Sequence, residues 1–165
     1  MNGIAVIQSA LAGTKQVFEA YFKDLSDADL FLRPVPGANH LAWQLGHLIH
    51  SEVMLVKSEL PEAAYPALPA GFAEAHTKET AGKDGPGNGF LTKEQYLSLF
   101  AAVRAATTKT VAGLGDADLD RPSVGVMKGF APRLGDLFLL VSNHTLMHGG
   151  QVTVVRRKLG KPVLF

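Results

Sequence analysis

The sequence predicts an all-α fold of four helices, and three observations carry that prediction. Hydrophobic residues make up 47% of the 165-residue chain, Ala and Leu are abundant, and Pro and Gly gather in a few places, as expected for helices separated by well-marked loops. Apolar residues recur in steps of three and four over long stretches, the period of a helix with one buried face. Capping residues and helix-ending residues bracket those stretches. A chain of this length is most simply one domain, residues 1–165, large enough to bury a substantial core.

The first helix is predicted from Ile4, Ile7, Leu11, Thr14, Phe18 and Tyr21, and runs to about Asp24. The segment Leu25-Ser26-Asp27-Ala28-Asp29-Leu30-Phe31-Leu32-Arg33-Pro34 follows, rich in capping residues and ending at proline, so it reads as a connection. A second helix begins after Pro36-Gly37 with Asn39 as N-cap and continues to about Leu60. It is apolar almost all round, which implies burial on several sides. From Pro61 to Phe90 the periodicity disappears, through Tyr65-Pro66-Ala67-Leu68-Pro69 and Gly85-Pro86-Gly87-Asn88-Gly89, and a long crossover results. Connections of this length are either functional, here as one wall of a substrate pocket, or permissive surface insertions.

Thr92 as N-cap with Gln95 three residues on opens the third helix, which carries Tyr96, Leu99, Phe100, Val103, Val111 and Leu114 before Gly115. The next segment, Leu114-Gly115-Asp116-Ala117-Asp118-Leu119-Asp120-Arg121-Pro122, echoes the Leu25 to Pro34 connection. The echo implies two related helix pairs, each with a Leu-x-Asp-Ala-Asp-Leu loop. The last helix is predicted to have Pro132 in its first turn and to run to about Leu159, ended by Gly160 and Pro162. Arg156, Arg157 and Lys158 suit its negative C-terminal end and read as surface residues.

A formal net charge of +1 arises from interspersed acidic and basic residues, without the basic stripe that binds phosphates, so nucleic acid is not an expected partner. The chain has no cysteine, which excludes disulfides, thiolate ligands and a protein thiol nucleophile. Any metal must rest on His, Asp, Glu and water. The apolar N-terminal run lacks a basic n-region and is broken by Gln8, Ser9, Lys15 and Glu19, so it reads as a helix of the fold. No membrane partner is expected, and the cytoplasm is the default compartment.

The chemistry-bearing stretch is Asn143-His144-Thr145-Leu146-Met147-His148-Gly149-Gly150-Gln151. On a helix, His144 and His148 lie one turn apart on one face, where two imidazoles can converge on one ion. With Leu134, Leu137, Val141, Gln151 and Val155 they follow the spacing of a bundle seam. Imidazoles in an apolar seam need partners, either a metal or buried hydrogen-bond acceptors that help one helix recognise another. His47 on the second helix shares a face with Trp43, His50 and Met54 and looks into the same interior. His40 and His76 carry no spacing signal and read as ordinary polar residues.

Four helices, Leu45-Gly46-His47-Leu48-Ile49-His50-Ser51-Glu52 in the second, and His144-x-x-x-His148-x-x-Gln151 in the fourth together resemble the DinB-like (damage-inducible) family. The Trp before Gly-His-Leu, the Leu-Ser-Asp-Ala-Asp-Leu connection with its Arg-Pro, and Leu159-Gly160-Lys161-Pro162 belong to the same resemblance, which spans essentially the whole chain. It implies a four-helix bundle with a long connection between helices two and three, and a divalent metal, often zinc or nickel. Carried over by position, the ligands are His47, His144 and His148. His50, one turn from His47, is an alternative ligand or a partner to one. Glu52 points away from His47 and reads as surface solvation. The family includes bacillithiol transferases and mycothiol-dependent maleylpyruvate isomerase, so a low-molecular-weight thiol cofactor and a homodimer are implied by analogy.

Three histidines leave coordination positions open, the arrangement of a catalytic site. A metal-dependent transferase or hydrolase acting on a small molecule is the first expectation, with a thiol supplied from outside the chain. Gln151 is a candidate to orient a ligand or to tie helices together, and Tyr96 is a weaker candidate. The rival expectation is a non-catalytic helical module whose histidines bind metal for stability or merely hydrogen-bond.

Overall fold

The structure is a computed structural model, and it describes residues 1–83, 85 and 89–165. Pro86, Gly87 and Asn88 of the Gly/Pro-rich run therefore lie outside the described residues. Four long helices make the bundle: α1 (Gly3–Phe22), α2 (Leu41–Glu59), α4 (Lys93–Ala112) and α5 (Leu134–Lys158). A one-turn helix, α3 (Phe72–Ala75), and a 3-10 turn (Lys78–Thr80) are the regular parts of the crossover.

Several helix ends have a local cause. Asn2 caps α1 by accepting from the Ala5 N–H. The expected Thr92/Gln95 capping box opens α4. Two expectations are corrected. His40, not Asn39, caps α2, its Nδ1 accepting from the Trp43 N–H at 3.1 Å, because an imidazole nitrogen can serve the donor that Asn usually serves. Pro132 lies before α5 rather than in its first turn: the Ser123 N–H bonds to its carbonyl at 2.9 Å, and that short antiparallel pairing delays the helix to Leu134. Gly160, at φ +69°, ends α5 as expected.

The principal packing pairs are α1 with α5, α2 with α4, α1 with α4 and α2 with α5. Helices consecutive in the chain, α1 and α2 or α4 and α5, therefore sit across the bundle from one another. Short loops favour adjacent neighbours, whereas the α1–α2 and α4–α5 connections are long enough to cross an end of the bundle. The two echoing segments make those crossings. Each forms a 3-10 turn, at Ala28–Phe31 and Asp116–Asp120, and in each the second residue's N–H bonds to an aspartate three residues on, Ser26 to Asp29 at 2.7 Å and Gly115 to Asp118 at 2.8 Å. Each then reaches into the other half. Asp27 accepts from the Lys93 N–H at the start of α4, and Asp116 accepts from the Ile4 N–H at the start of α1.

The core is two apolar clusters with a polar layer between them. One cluster gathers Phe18, Phe22, Leu45, Ile49, Tyr96 and Phe100, and the other Ile7, Leu11, Val56, Val111, Leu137 and Phe138. Between them lies the Arg104 guanidinium, 2% exposed, in a forked pair with Glu52. It also donates to the Leu11 carbonyl, Thr14 Oγ1 and Thr145 Oγ1, so every guanidinium N–H is used and all four long helices meet at one residue. Thr107 donates to Glu52 at 2.6 Å, which leaves its oxygen to accept from the Tyr65 hydroxyl at 2.9 Å. Burial pushes the Tyr65 pKa up. Glu52 is thus corrected from surface to core: a helix apolar all round has no solvent face at that position, and the carboxylate finds its cation on α4 instead.

Candidate metal centre

The site lies where α2 meets α5. α5 buries Leu134, Leu137, Val141, Thr145, His148, Val152 and Val155, while His144 is half-buried and Gln151 is exposed. A strict seven-residue seam drifts around a straight helix of 3.6 residues per turn, so Thr145 and Val152 take the buried positions expected of His144 and Gln151, while His148 and Val155 keep theirs. That drift has a useful result. His148 points inward, His144 sits at the edge, and the pair straddles the groove opposite His47.

The donor nitrogens of His47, His144 and His148 all lie within 4.8 Å of one another. Their ring centroids are 5.2 Å apart for His47 and His144, 5.4 Å for His47 and His148, and 4.9 Å for His144 and His148. The expected trio is therefore brought together, and it is His47, not His50, that completes the cluster. Gln151, two turns beyond His144, is exposed. The amide that does reach the site is Gln44, one turn before His47 and 1% exposed. Its Nε2 donates to the Asn39 carbonyl at 2.9 Å, which turns its Oε1 toward His148 Nδ1 at 3.1 Å. An amide oxygen only accepts, so His148 carries its proton on Nδ1 and presents the Nε2 lone pair.

His47 is held on its face. The Trp43 ring stacks on it, with centroids 4.7 Å apart and planes at 7°. Trp43 Nε1 in turn donates to the Thr77 carbonyl at 2.9 Å, so the crossover is tied to the rim of the site. A second tie lies just below. His76 packs against α2 at Gly46, where its Nδ1–H donates to the Phe72 carbonyl and its Nε2 accepts from the Tyr96 hydroxyl, both at 2.7 Å. Burial lowers the His76 pKa and raises that of Tyr96. His40 donates from Nε2 to the Lys83 carbonyl at 2.8 Å. Neither histidine is an ordinary surface residue: both are fully buried and pin the crossover.

Burial, with help from the neighbouring His144, pushes the His47 pKa down to about 4 and that of His148 to about 3, and burial lowers His144 as well. All three rings are therefore neutral near pH 7, the form that ligates a metal. The sign of the pH effect follows. Between the ordinary histidine value of 6.5 and about 4, the unfolded chain takes up protons that the folded chain refuses, so stability falls as pH falls through that window. In metal-depleted protein the loss is expected to approach about 1.4 kcal/mol per pH unit for His148 and less for His47, which water partly reaches. Urea midpoints at pH 7 and pH 5 check this, and a His47→Gln/His148→Gln variant should show a flatter dependence.

A four-helix bundle whose α2 and α5 converge three neutral imidazoles in one groove is a histidine-type bundle built to accept a metal. The chain belongs to the DinB superfamily, whose family model matches residues 10–152. Among solved structures it is similar to YfiT from Bacillus subtilis, described as a probable metal-dependent hydrolase with an unusual four-helix bundle topology. That likeness has a TM-score of 0.70 at 15% identity and covers 96% of this chain and 89% of the other. A conserved protein from Enterococcus faecalis is similar with a TM-score of 0.70 at 17% identity, over 98% of this chain and 99% of that one. No curated protein matches in sequence. At such identities the likeness establishes the fold. No helix among the described residues is long and apolar enough to cross a membrane.

Proposed function

We propose that the protein is a metal-dependent enzyme that binds one divalent ion, zinc or nickel, through His47, His144 and His148, and acts on a small molecule as a thiol-dependent transferase or a hydrolase. The observation that carries this reading is the convergence of three donor nitrogens from two helices within 4.8 Å, with one tautomer already set by Gln44. The donor set fits such an ion: neutral imidazoles suit zinc and nickel, and three protein ligands leave room for a substrate. A bound ion supplies Lewis acidity, which makes a water or an external thiol a better nucleophile near neutral pH.

The chain's own residues do the rest. Gln44 orients His148, Trp43 holds the His47 ring plane, and the Thr77 to Trp43 bond keeps the crossover beside the open side of the groove. With no cysteine in the chain, a reacting thiol has to be a separate molecule. A cytoplasmic homodimer is part of the same proposal. YfiT's description as a probable hydrolase supports the hydrolytic branch, and the family resemblance supports the thiol branch.

Elemental analysis tests the reading on untagged protein beside a His47→Ala/His144→Ala/His148→Ala variant. About one equivalent of metal is expected in the first and essentially none in the second, with helicity retained in both. No metal in either after reconstitution with zinc, nickel and manganese would leave the histidines as polar groups of a non-catalytic module.

A further inference from the structure

We propose that the small molecule taken by this site carries an apolar tail, laid along one edge of α2 from His47 past Met54 to the loop at Gly125. The inference rests on the metal-site reading and extends it to a substrate class. Met54 is the residue that sets the preference.

The first ground is alignment. His47, Met54 and Ser58 follow helical steps of seven and four, so they share one edge of α2, which rises about 16 Å from the first to the last. Gly125 seats on the far end of that edge, where a Cβ would lie 2.3 Å from Ser58 Oγ and 2.7 Å from Glu59 Oε1. The seat is fixed, because buried Glu59 accepts the N–H groups of Val124 and Gly125 at 3.0 and 2.8 Å. α2 and α5 run in opposite directions between the two apolar clusters: Leu45 and Val152 lie in one, Val56 and Leu137 in the other. Leu140, one turn before His144, therefore falls on the same side of the histidines as Met54.

The second ground is the chemistry of the two walls. Helix surfaces that meet water ordinarily carry charge. From Leu41 to Val56 on α2 the one Asp, Glu, Lys or Arg is Glu52, buried against Arg104, and from Leu137 to Val155 on α5 there is none. Met54, Val124 and Val126 are instead 42%, 73% and 65% exposed, and half-buried Leu140 packs on the second cluster. Singly exposed apolar residues are ordinary, but these extend the histidine groove in one direction. A charged tail would meet no opposite charge on either wall. An apolar tail would exchange water for methionine, valine and leucine side chains.

A series of hydroxamates with one metal-binding head and a lengthening chain tests this. Protein loaded with cobalt and dialysed would be titrated with acetohydroxamate, hexanohydroxamate and octanohydroxamate, followed by the visible absorption of the cobalt centre. Affinity is expected to rise about 2-fold per added CH2, against about 4-fold for full burial, and so about 60-fold from the shortest to the longest. Met54→Asp should cut that gain to within about 5-fold and Met54→Leu should retain it, at unchanged cobalt stoichiometry. Affinity independent of chain length, or a gain that survives Met54→Asp, would overturn this inference alone. Chain-independent affinity in a protein that light scattering finds dimeric, and that Met54→Asp makes monomeric, would overturn it by assigning the strip to a second copy. Protein that takes up no cobalt would overturn the metal-site reading and this inference with it.

Discussion

Arg104→Met is expected to destabilise the protein by about 3–5 kcal/mol, because it removes the cation from a carboxylate that has no route to water. Glu52 is 3% exposed and takes three of its hydrogen bonds from Arg104. The substitution also strips donors from the Leu11 carbonyl, Thr14 and Thr145, so the loss is felt on α1, α2 and α5 at once. The paired change Glu52→Leu/Arg104→Met should cost much less than the sum of the single changes, since an apolar filling leaves no buried charge behind. Urea unfolding of the two singles and the double measures this. Additive losses would mean that the pair is not acting as a buried unit.

The second large effect is expected from Gly46→Ala, usually a stabilising change in the middle of a helix. Here a Cβ would lie 2.1 Å from both Cδ2 and Nε2 of His76. The imidazole has nowhere to retreat, since Phe72 and Tyr96 hold its two nitrogens at 2.7 Å. Overpacking of about 2–3 kcal/mol is expected, expressed as a lower thermal midpoint and faster proteolysis within residues 61–83. A second substitution, His76→Ala, should itself be destabilising in an otherwise normal background but should relieve most of the clash in Gly46→Ala protein. A midpoint raised by Gly46→Ala alone would show that helix propensity outweighs the contact.

The parts of this fold legible in the sequence are those decided within a few residues. The period of Ile7, Leu11, Thr14 and Phe18, the Thr92/Gln95 box and the His144/His148 spacing are local patterns, and each appears in the structure as read. His47 was legible because it shares a helix face with Trp43, and the resemblance placed it against the other two. What escaped was decided across the chain. Glu52 meets Arg104 from another helix, and Gln44 reaches His148 across the α2–α5 groove. No spacing within α2 distinguishes these from surface polar residues. His76 lies in an aperiodic segment, and its one local clue was Gly46, a small residue in a bulky helix, which marks a close approach without naming the visitor.

The exchange of aspartates between the two connecting turns makes the halves of this protein mutually dependent. Residues 1–60 alone would leave the start of α1 without Asp116, and residues 91–165 alone would leave the start of α4 without Asp27. The histidines are divided in the same way, one from the first half and two from the second. Neither half could assemble the full ion-binding trio by itself, so an ion held by all three would act as a clasp between them. Its binding energy would then oppose separation of the halves as well as serve chemistry.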